Sequence, residues 1–528
     1  MGAFANDKWK VLPNLTLNLG LRWEPQQVMK EIWGRIEQFF PDAQVAGVHS
    51  AIVPSAPAGL MFVGDKYNGV AVPDRGEAGD FNNFAPRLGI AWDPTGSGKM
   101  SIRAGGGLFY SSRLPGLFLN DAAISAPFSL RLDLNDSVSG PSQIGPLTNP
   151  EVNYPTFAAG FPQRFTLKNV PKNATFVPNP TVFGMQPGVR WVTPEIYDWN
   201  VTFERQLSAD TVIHVSYVGT RGTHLRQDVN LNPAKYTAGD TRSTQLRRPY
   251  QPFGTIYQSR NTGANGYYGF QADLEKRASA GAGILSQITL LANYTYSKAR
   301  EYGLSSNGGI TDIGSSIGSG MSFYDPRQHD FETGPSNFDH AHRAVASFVW
   351  ALPKFANSNG LVRNVAGGWQ WTGIYSYQTG DPLTILAGTD VSQTNNGLDR
   401  ADFVGSGPKG NRGTPTPCST TVKHCLAWLD ISQFTPPTAG NYGNVGKGTY
   451  RGPNLWNADT GLFKNFTPVP SHENINFQFR GEFFNIFNHP QWADPNVTLS
   501  NAAKGTTRAT IGTNADSRII QLALKMSF

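Results

Sequence analysis

Leu15-Thr16-Leu17-Asn18-Leu19-Gly20-Leu21-Arg22-Trp23-Glu24 is the stretch that decides the fold. Leu15, Leu17, Leu19, Leu21 and Trp23 take alternate positions, and Thr16, Asn18, Gly20, Arg22 and Glu24 stand between them. Successive side chains of a strand point to opposite faces, so this run reads as a β-strand with one apolar and one polar face. The pattern returns along the chain. Leu88, Ile90 and Trp92 oppose Arg87, Gly89 and Asp93; Tyr197, Trp199, Val201 and Phe203 oppose Asn200, Thr202 and Glu204. Tyr268, Phe270, Ala272 and Leu274 stand against Gln271, Asp273, Glu275 and Arg277, and Ile475, Phe477, Phe479 and Phe483 against Asn476, Gln478, Arg480 and Glu482. The last such run sets Ile520, Leu522, Leu524, Met526 and Phe528 against Gln521, Lys525 and Ser527. Residues 278–297 carry no charge and have the length of a membrane helix, but Tyr294 and Tyr296 alternate there with Asn293, Thr295 and Ser297, which again reads as a strand.

Weaker segments near 99–110, 211–220, 341–352, 368–380 and 456–467 bring the expectation to about twelve strands. Short links at 93–99, 207–211, 277–283, 352–367 and 467–474 alternate with long segments near 24–83, 110–196, 221–265, 299–340, 380–455 and 486–517. Long structureless loops are uncommon in compact soluble domains, whereas short turns at one end and long loops at the other are the rule in outer-membrane barrels. The expected fold class is therefore all-β, an antiparallel transmembrane outer-membrane β-barrel with long extracellular loops. A series of β-sandwiches is the soluble alternative. Against it, the polar faces carry Gly, Thr, Asn and Gln more than Lys and Glu, and Tyr and Trp gather near strand ends as in the girdles of barrels. Val28, Ile32, Ile36 and Phe39, between Pro25 and Pro41, predict one short helix in the first long segment.

Composition agrees. Of 528 residues only 16% are charged, against about 25% in soluble domains. With 57 Gly and 37 Pro the chain is a poor helix former, and with 12% aromatics it is a poor candidate for disorder. The net charge of +6 is scattered, which excludes a nucleic-acid track. Cys418 and Cys425 lie close together in a Pro/Thr-rich segment, as a loop disulfide would; His424 leaves a metal reading open, without a second ligand pair at zinc spacing. Gly443, Gly446 and Gly448 surround Lys447, yet no Ser or Thr follows the lysine as a phosphate loop needs, and Gly105-Gly106-Gly107 falls inside a strand. Asp339, His340, His342 and Arg343 are the densest ionisable cluster; a strand sets both histidines on one side, where they share either a metal or merely a polar strand entrance. Neither Gly-x-Ser-x-Gly nor His-Glu-x-x-His occurs, so an enzyme, in the form of a secreted sandwich with a cleft, has no positive support, and no cofactor is called for.

Four runs carry a family resemblance. Residues 2–11 running into 15–24 resemble a strand of TonB-dependent receptor barrels. Asn337-Phe338-Asp339-His340-Ala341-His342-Arg343, residues 217–225, and Arg480-Gly481-Glu482-Phe483-Phe484-Asn485-Ile486-Phe487-Asn488-His489-Pro490 resemble the Oar-like branch of that family. The resemblance implies a barrel of about 22 strands around an N-terminal plug, importing a scarce nutrient with energy passed from the inner membrane. Residues 1–528 show no signal peptide, plug or energy-coupling box, so the expectation is the C-terminal part of such a barrel, with an even strand count from Leu15 and a periplasmic N-terminal end. The partners implied are outer-membrane lipid, the remaining barrel half and plug, the inner-membrane energy-coupling complex reached through that plug, and the assembly machinery that reads a terminal strand ending in Phe528. Leu17, Trp23, Phe270, Phe479 and Leu524 are expected against lipid. Arg22, Glu24, Arg103, Glu204, Asp273, Glu275, Arg277, Arg480 and Glu482 are expected to line the lumen. A surface adhesion or glycan-binding protein without transport is the competing reading.

Overall fold

In the computed structural model, alternating segments hydrogen-bond in chain order into one antiparallel sheet. Its strands are β1 (Ala3–Leu12), β2 (Leu15–Trp23), β3 (Phe84–Trp92), β4 (Met100–Tyr110), β5 (Glu195–Ser208), β6 (Thr211–Asn230) and β7 (Ile256–Lys276). They continue as β8 (Ile288–Tyr302), β9 (His342–Ala351), β10 (Trp369–Gln378), β11 (Leu455–Phe466), β12 (Asn476–Phe484) and β13 (Ile519–Ser527). The structure describes the chain except residues 1, 28–29, 76–78, 112–126, 128–171, 173, 175, 177–178, 280–282, 303–332, 356–358, 396–398, 407–415, 418–424, 467–475, 508–516 and 528.

Four expectations need correction. Among the described residues the wall has thirteen strands rather than about twelve, because residues 3–12 form a strand of their own. Asp7, Lys8 and Lys10 obscure its alternation, but Pro13 and Asn14 turn it back onto β2 with Ala3 opposite Trp23 and Lys10 opposite Thr16. This places Ala3 at the long-link end of the wall, not at the short-link end expected for it. The long segment at 221–265 shrinks to 231–255, since β6 and β7 run further than a period of two reveals; register shifts after Gly222 and Leu225 reset the alternation there. Finally, the expected helix over Val28–Phe39 does not form among the described residues. Gly34 turns at φ 70°, Glu37–Phe39 pairs as a strand with Leu60–Phe62, and the helix is Pro41–Val45.

Register sorts the side chains by chemistry. One rung across the wall reads Ile102, Phe203, Val215, Ala272, Tyr294, Ala344, Tyr377 and Trp456. The adjacent rung, on the opposite face, reads Arg103, Thr202, Ser216, Gln271, Thr295, Arg343, Gln378 and Leu455. Leu88 is 58% exposed and Leu522 67%, an apolar surface that suits hydrocarbon rather than water. Trp9, Trp92, Trp350 and Trp371 band this face toward the short links, and Trp23, Phe84, Tyr197, Tyr296 and Trp456 toward the long ones. Charged side chains on the apolar face keep to the strand ends, such as Arg205, Lys276 and Lys464 by the short links and Glu195, Arg221, Lys298 and Arg300 by the long ones. Lys464 snorkels, donating to the carbonyls of Asn364, Val365 and Gly367 beneath the wall. Asp7, midway along β1, is the exception.

The packed apolar cores lie in the long segments, not in the wall. Phe39, Val53, Leu60, Phe62, Val182, Phe253 and Ile256 form one, in which Phe39 meets the Phe253 ring edge-on at 5.1 Å. Leu383, Ile385, Leu429, Phe434, Val445, Tyr450 and Leu499 form another. Asn232, fully buried, holds the 231–255 segment by donating to the carbonyls of Tyr250, Phe253 and Gly254 and accepting from Tyr250 N–H. Among the described residues, the links at 24–83, 231–255 and 379–454 are thus folded caps with hydrophobic interiors.

Phe479 lies opposite Lys464 near the short-link end, so it is not the midpoint of the apolar face. Leu522, opposite Gly481 in mid-strand, is. Leu522→Lys is expected to cost about 2 to 4 kcal/mol of membrane stability, read as loss of the heat-modifiable folded band in outer-membrane fractions; Lys525→Leu, on the other face, retains that band.

Candidate functional site

The polar face carries the residues expected to line a lumen, in separate groups along the wall. Arg22 pairs with Glu24 just past the top of β2. Arg103 Nη2 stands 3.8 Å from Glu204 Oε2, whose Oε1 is 3.7 Å from His214 Nε2, and the same row continues to Asp273 and Asn293. Glu275 and Arg277 pair at 2.7 Å at the foot of β7. Arg480 donates to Gln478 at 2.6 Å with its guanidinium 5.8 Å from the Phe463 ring, while Glu482 faces Gly461 and Gln521. No single pocket gathers these side chains among the described residues. Cys425 is buried and is not a free thiol; Cys418, His424 and Phe528 lie outside the described residues.

Where wall and caps meet, a rim assembles that was mostly invisible in sequence. Lys447 Nζ lies 2.7 Å from Glu301 Oε2 with both side chains buried, and Ser336 Oγ donates to the other carboxylate oxygen at 2.7 Å. Gly443 at φ 85° and Gly448 at φ 61° shape the turn that delivers the lysine, so the Gly-rich run without phosphate-loop spacing serves an ion pair. Arg451 binds the carboxylate and carbonyl of Asp339, which also accepts the Ala299 N–H at 2.6 Å. The two histidines of the 339–343 cluster part company. His342 Nδ1 meets Tyr294 Oη at 2.8 Å, whereas His340 Nδ1 contacts the Thr379 carbonyl at 2.9 Å and lies 3.6 Å from Asp381. No metal-holding group of three or more His, Cys, Asp or Glu occurs among the described residues. Asp381 in turn meets the Asp494 carboxyl, which loss of water on its protein side and then the Asp381 charge push up to about 6.

The 480–490 run builds a notch in the rim. β12 stops at Phe484 while β11 continues up to Leu455, leaving residues 455–459 without a strand on that side. The side-chain amide of Gln491 substitutes for the strand: its Oε1 accepts from Trp456 N–H at 3.1 Å and its Nε2 donates to the Trp456 carbonyl. Ile486 N–H reaches the Ala458 carbonyl at 2.9 Å, and Asn485 N–H reaches Asp459 at 2.8 Å. Asn485 and Asn488 adopt φ of 49° and 53°, a region asparagine tolerates better than most residues. Asn485 brackets His489 through two 2.9 Å bonds, and Asn488 accepts from Arg518 N–H at 3.1 Å. Beneath this corner lies a cavity of about 400 Å³, lined among others by Arg343, Ser376, Gln378, Asn457, Asp459 and Trp456. Arg343 has no ion-pair partner among the described residues. A guanidinium, a carboxylate and amides on one face suit a polar ligand rich in hydroxyl or carboxyl groups. The cavity of about 850 Å³ bounded by Leu19, Leu21, Leu88, Leu108, Tyr197 and Trp199 is a furrow of the apolar face.

Two outcomes follow from the rim. Lys447→Ala strands Glu301 without its counter-charge, a loss of about 3 to 5 kcal/mol for a buried pair; limited proteolysis within 379–454 is expected to accelerate while the wall stays protected. Asp494 has a raised carboxyl in the folded rim, so its stabilising contribution is full below about pH 4 and is lost as pH rises through about 6. Hydrogen exchange at residues 379–381, corrected for intrinsic rate, is therefore expected to be slower at pH 5 than at pH 7.5, and Asp494→Asn is expected to abolish the difference.

Comparison with known proteins adds the family. Residues 1–521 match the model of the outer membrane beta barrel domain. No curated protein matches the chain. Solved structures it resembles include the outer-membrane transporter YddB of Escherichia coli (11% identity, 100% of this chain and 53% of that one, TM-score 0.40). Others are the siderophore receptor PiuA of Acinetobacter baumannii (12% identity, 99% and 42%, TM-score 0.38) and the FrpB iron transporter of Neisseria meningitidis (11% identity, 99% and 44%, TM-score 0.36). The chain spans about half or less of the length of these structures, and likenesses so distant say nothing of ligand or partner. The family match and the two-faced antiparallel wall agree: the chain belongs to the outer-membrane β-barrel family and resides in the bacterial outer membrane.

Proposed function

We propose that residues 1–528 are the C-terminal barrel part of a TonB-dependent transporter of the Oar-like type, importing a scarce nutrient across the outer membrane. The observation that carries this reading is the pairing of a polar wall face with folded caps at one end. Arg22, Glu24, Arg103, Glu204, Asp273, Glu275, Arg277, Arg480 and Glu482 share that face, which in a barrel of this class lines the lumen. The caps, with their own cores and the notch at Arg343 and Asp459, stand where an external ligand arrives. In this reading a Cys418–Cys425 disulfide braces the 379–454 cap, Phe528 ends the strand read by the assembly machinery, and energy comes from the inner-membrane complex through a plug outside these residues.

The test is uptake by cells with and without the intact gene, using labelled metal chelates, oligosaccharides, peptides and vitamins. Accumulation of one class that needs both the gene and the proton-motive force supports transport, and Arg343→Ala is expected to lower its uptake about tenfold, the loss of one charge-assisted contact. Binding of a ligand to cells that persists unchanged without that force, with no accumulation, overturns transport in favour of adhesion.

A further inference from the structure

The notch in the rim is a cavity of about 400 Å³, within the range of about 300–1,000 Å³ of small-molecule sites. Three adjacent strands supply its polar side chains on one face: Arg343 from β9, Ser376 and Gln378 from β10, Asn457 and Asp459 from β11. The protein holds several of these groups by one end and leaves the other end open. Asn457 Nδ2 donates to Asp459 Oδ1 at 2.9 Å, and the reverse orientation of the amide would set two oxygens together. Asn457 Oδ1 is therefore turned away from Asp459, buried and without a hydrogen-bond partner among the described residues. A buried acceptor without a donor is costly, and an incoming hydroxyl or N–H relieves it.

Gln378 follows the same rule. His340 Nδ1 donates to the Thr379 carbonyl, which leaves Nε2 as the acceptor of the ring, and Gln378 Nε2 donates to it at 3.1 Å. Gln378 Oε1 is thereby released to the cavity as a second acceptor. Asp459 Oδ1 takes both Asn457 Nδ2 and the Asn485 N–H, so its Oδ2 is a third. Against these acceptors stands one cation among the described lining residues: Arg343, with neither an ion-pair nor a hydrogen-bond partner among the described residues. β9 and β11 lie two strand spacings apart, about 10 Å, and the long arginine side chain spans part of that distance. The cavity thus suits an anion on its β9 side and hydrogen-bond donors on its β11 side. Two of the three acceptors are uncharged amides, which match hydroxyl groups and give an ammonium no ion pair, and the Asp459 carboxylate already accepts two N–H bonds. Phe484, exposed on the same face, offers its ring to the C–H side of a pyranose.

We propose that the notch binds the acidic end of a saccharide, a hexuronic acid residue whose carboxylate pairs with Arg343 and whose hydroxyls donate to Gln378, Asn457 and Asp459. The guanidinium takes the carboxylate through charge-assisted hydrogen bonds, and the Ser376 hydroxyl, able both to donate and to accept, serves a sugar hydroxyl between them. This rests on the reading of the notch as the place where an external ligand arrives, and adds the class of that ligand to it.

The experiment measures equilibrium binding to native, de-energised outer membranes from cells with and without the intact gene. The probes are a radiolabelled disaccharide ending in glucuronic acid, its methyl ester, which keeps every hydroxyl and loses the charge, and trialanine. The acid is expected to bind saturably only where the gene is intact, about tenfold more tightly than its ester, the loss of one charge-assisted contact. Arg343→Gln is expected to bring the acid down to the level of the ester and to leave the ester unchanged, whereas Asn457→Leu is expected to weaken both alike, about fivefold. The variants are compared at equal amounts of the heat-modifiable folded band; where a variant does not fold, the acid-to-ester ratio of the unsubstituted protein decides alone. Equal binding of acid and ester, weakening of both alike by Arg343→Gln, or absence of saturable binding overturns the proposal. Trialanine that outcompetes the acid and is lost with Arg343→Gln overturns it in favour of a zwitterionic peptide. The transport reading fails separately, by saccharide binding that no force-dependent accumulation follows; accumulation of another class without binding of the acid leaves transport standing and removes this ligand.

Discussion

Hydrocarbon offers no partner to a backbone N–H or C=O, and each one left unpaired costs several kcal/mol. The rest of this structure follows from that constraint. It demands strands paired on both sides, and among the described residues the up-and-down ladder provides this for β2 to β12, the strands between its two ends. Where the ladder fails, a substitute appears: at the top of β11, beyond the end of β12, the Gln491 side-chain amide makes both hydrogen bonds of a missing strand to Trp456.

Because a barrel wall has lipid on one side and polar space on the other, it contains no apolar core. The buried apolar residues went instead into the caps, around Phe39 and Phe253 at one place and Phe434 and Tyr450 at another. Ion pairs were distributed by the same logic. The most buried one among the described residues, Lys447 with Glu301, sits at the rim, where cap and wall exclude water together and Ser336 satisfies the remaining carboxylate oxygen. On the wall, pairs such as Arg103 with Glu204 stay on the polar face and partly exposed.

Much of the wall was legible because a period of two is a local property: Leu17, Leu19 and Leu21 declare their face without reference to any other strand. Legibility failed where local pattern and tertiary pairing parted. β1 was missed because its charges break the alternation, and the upper parts of β6 and β7 because bulges shift the phase after Gly222. The false helix at 28–39 arose from an apolar spacing that the structure uses otherwise, with Phe39 turned into one cap core and Ile36 and Phe40 into another. Of the rim, the 339–343 cluster, the glycines around Lys447 and the 480–490 run left a mark in the sequence, the last through asparagines suited to a positive φ. Glu301, Lys447, Asp381, Asp494 and Gln491 come together from segments far apart in the chain, and spacing along the chain holds no record of that.

By itself, then, the sequence determined the class: two-faced strands, short and long links in turn, and too little charge for a soluble protein, all consequences of lipid meeting alternate side chains. Only the tertiary structure decided the strand count, the end of the wall at which the chain enters, the folded nature of the caps and the membership of the rim. The physical reason is that pairing depends on partners distant in sequence. Whether a charged, weakly alternating segment such as residues 3–12 is a strand at all depends on the neighbour it finds in β2.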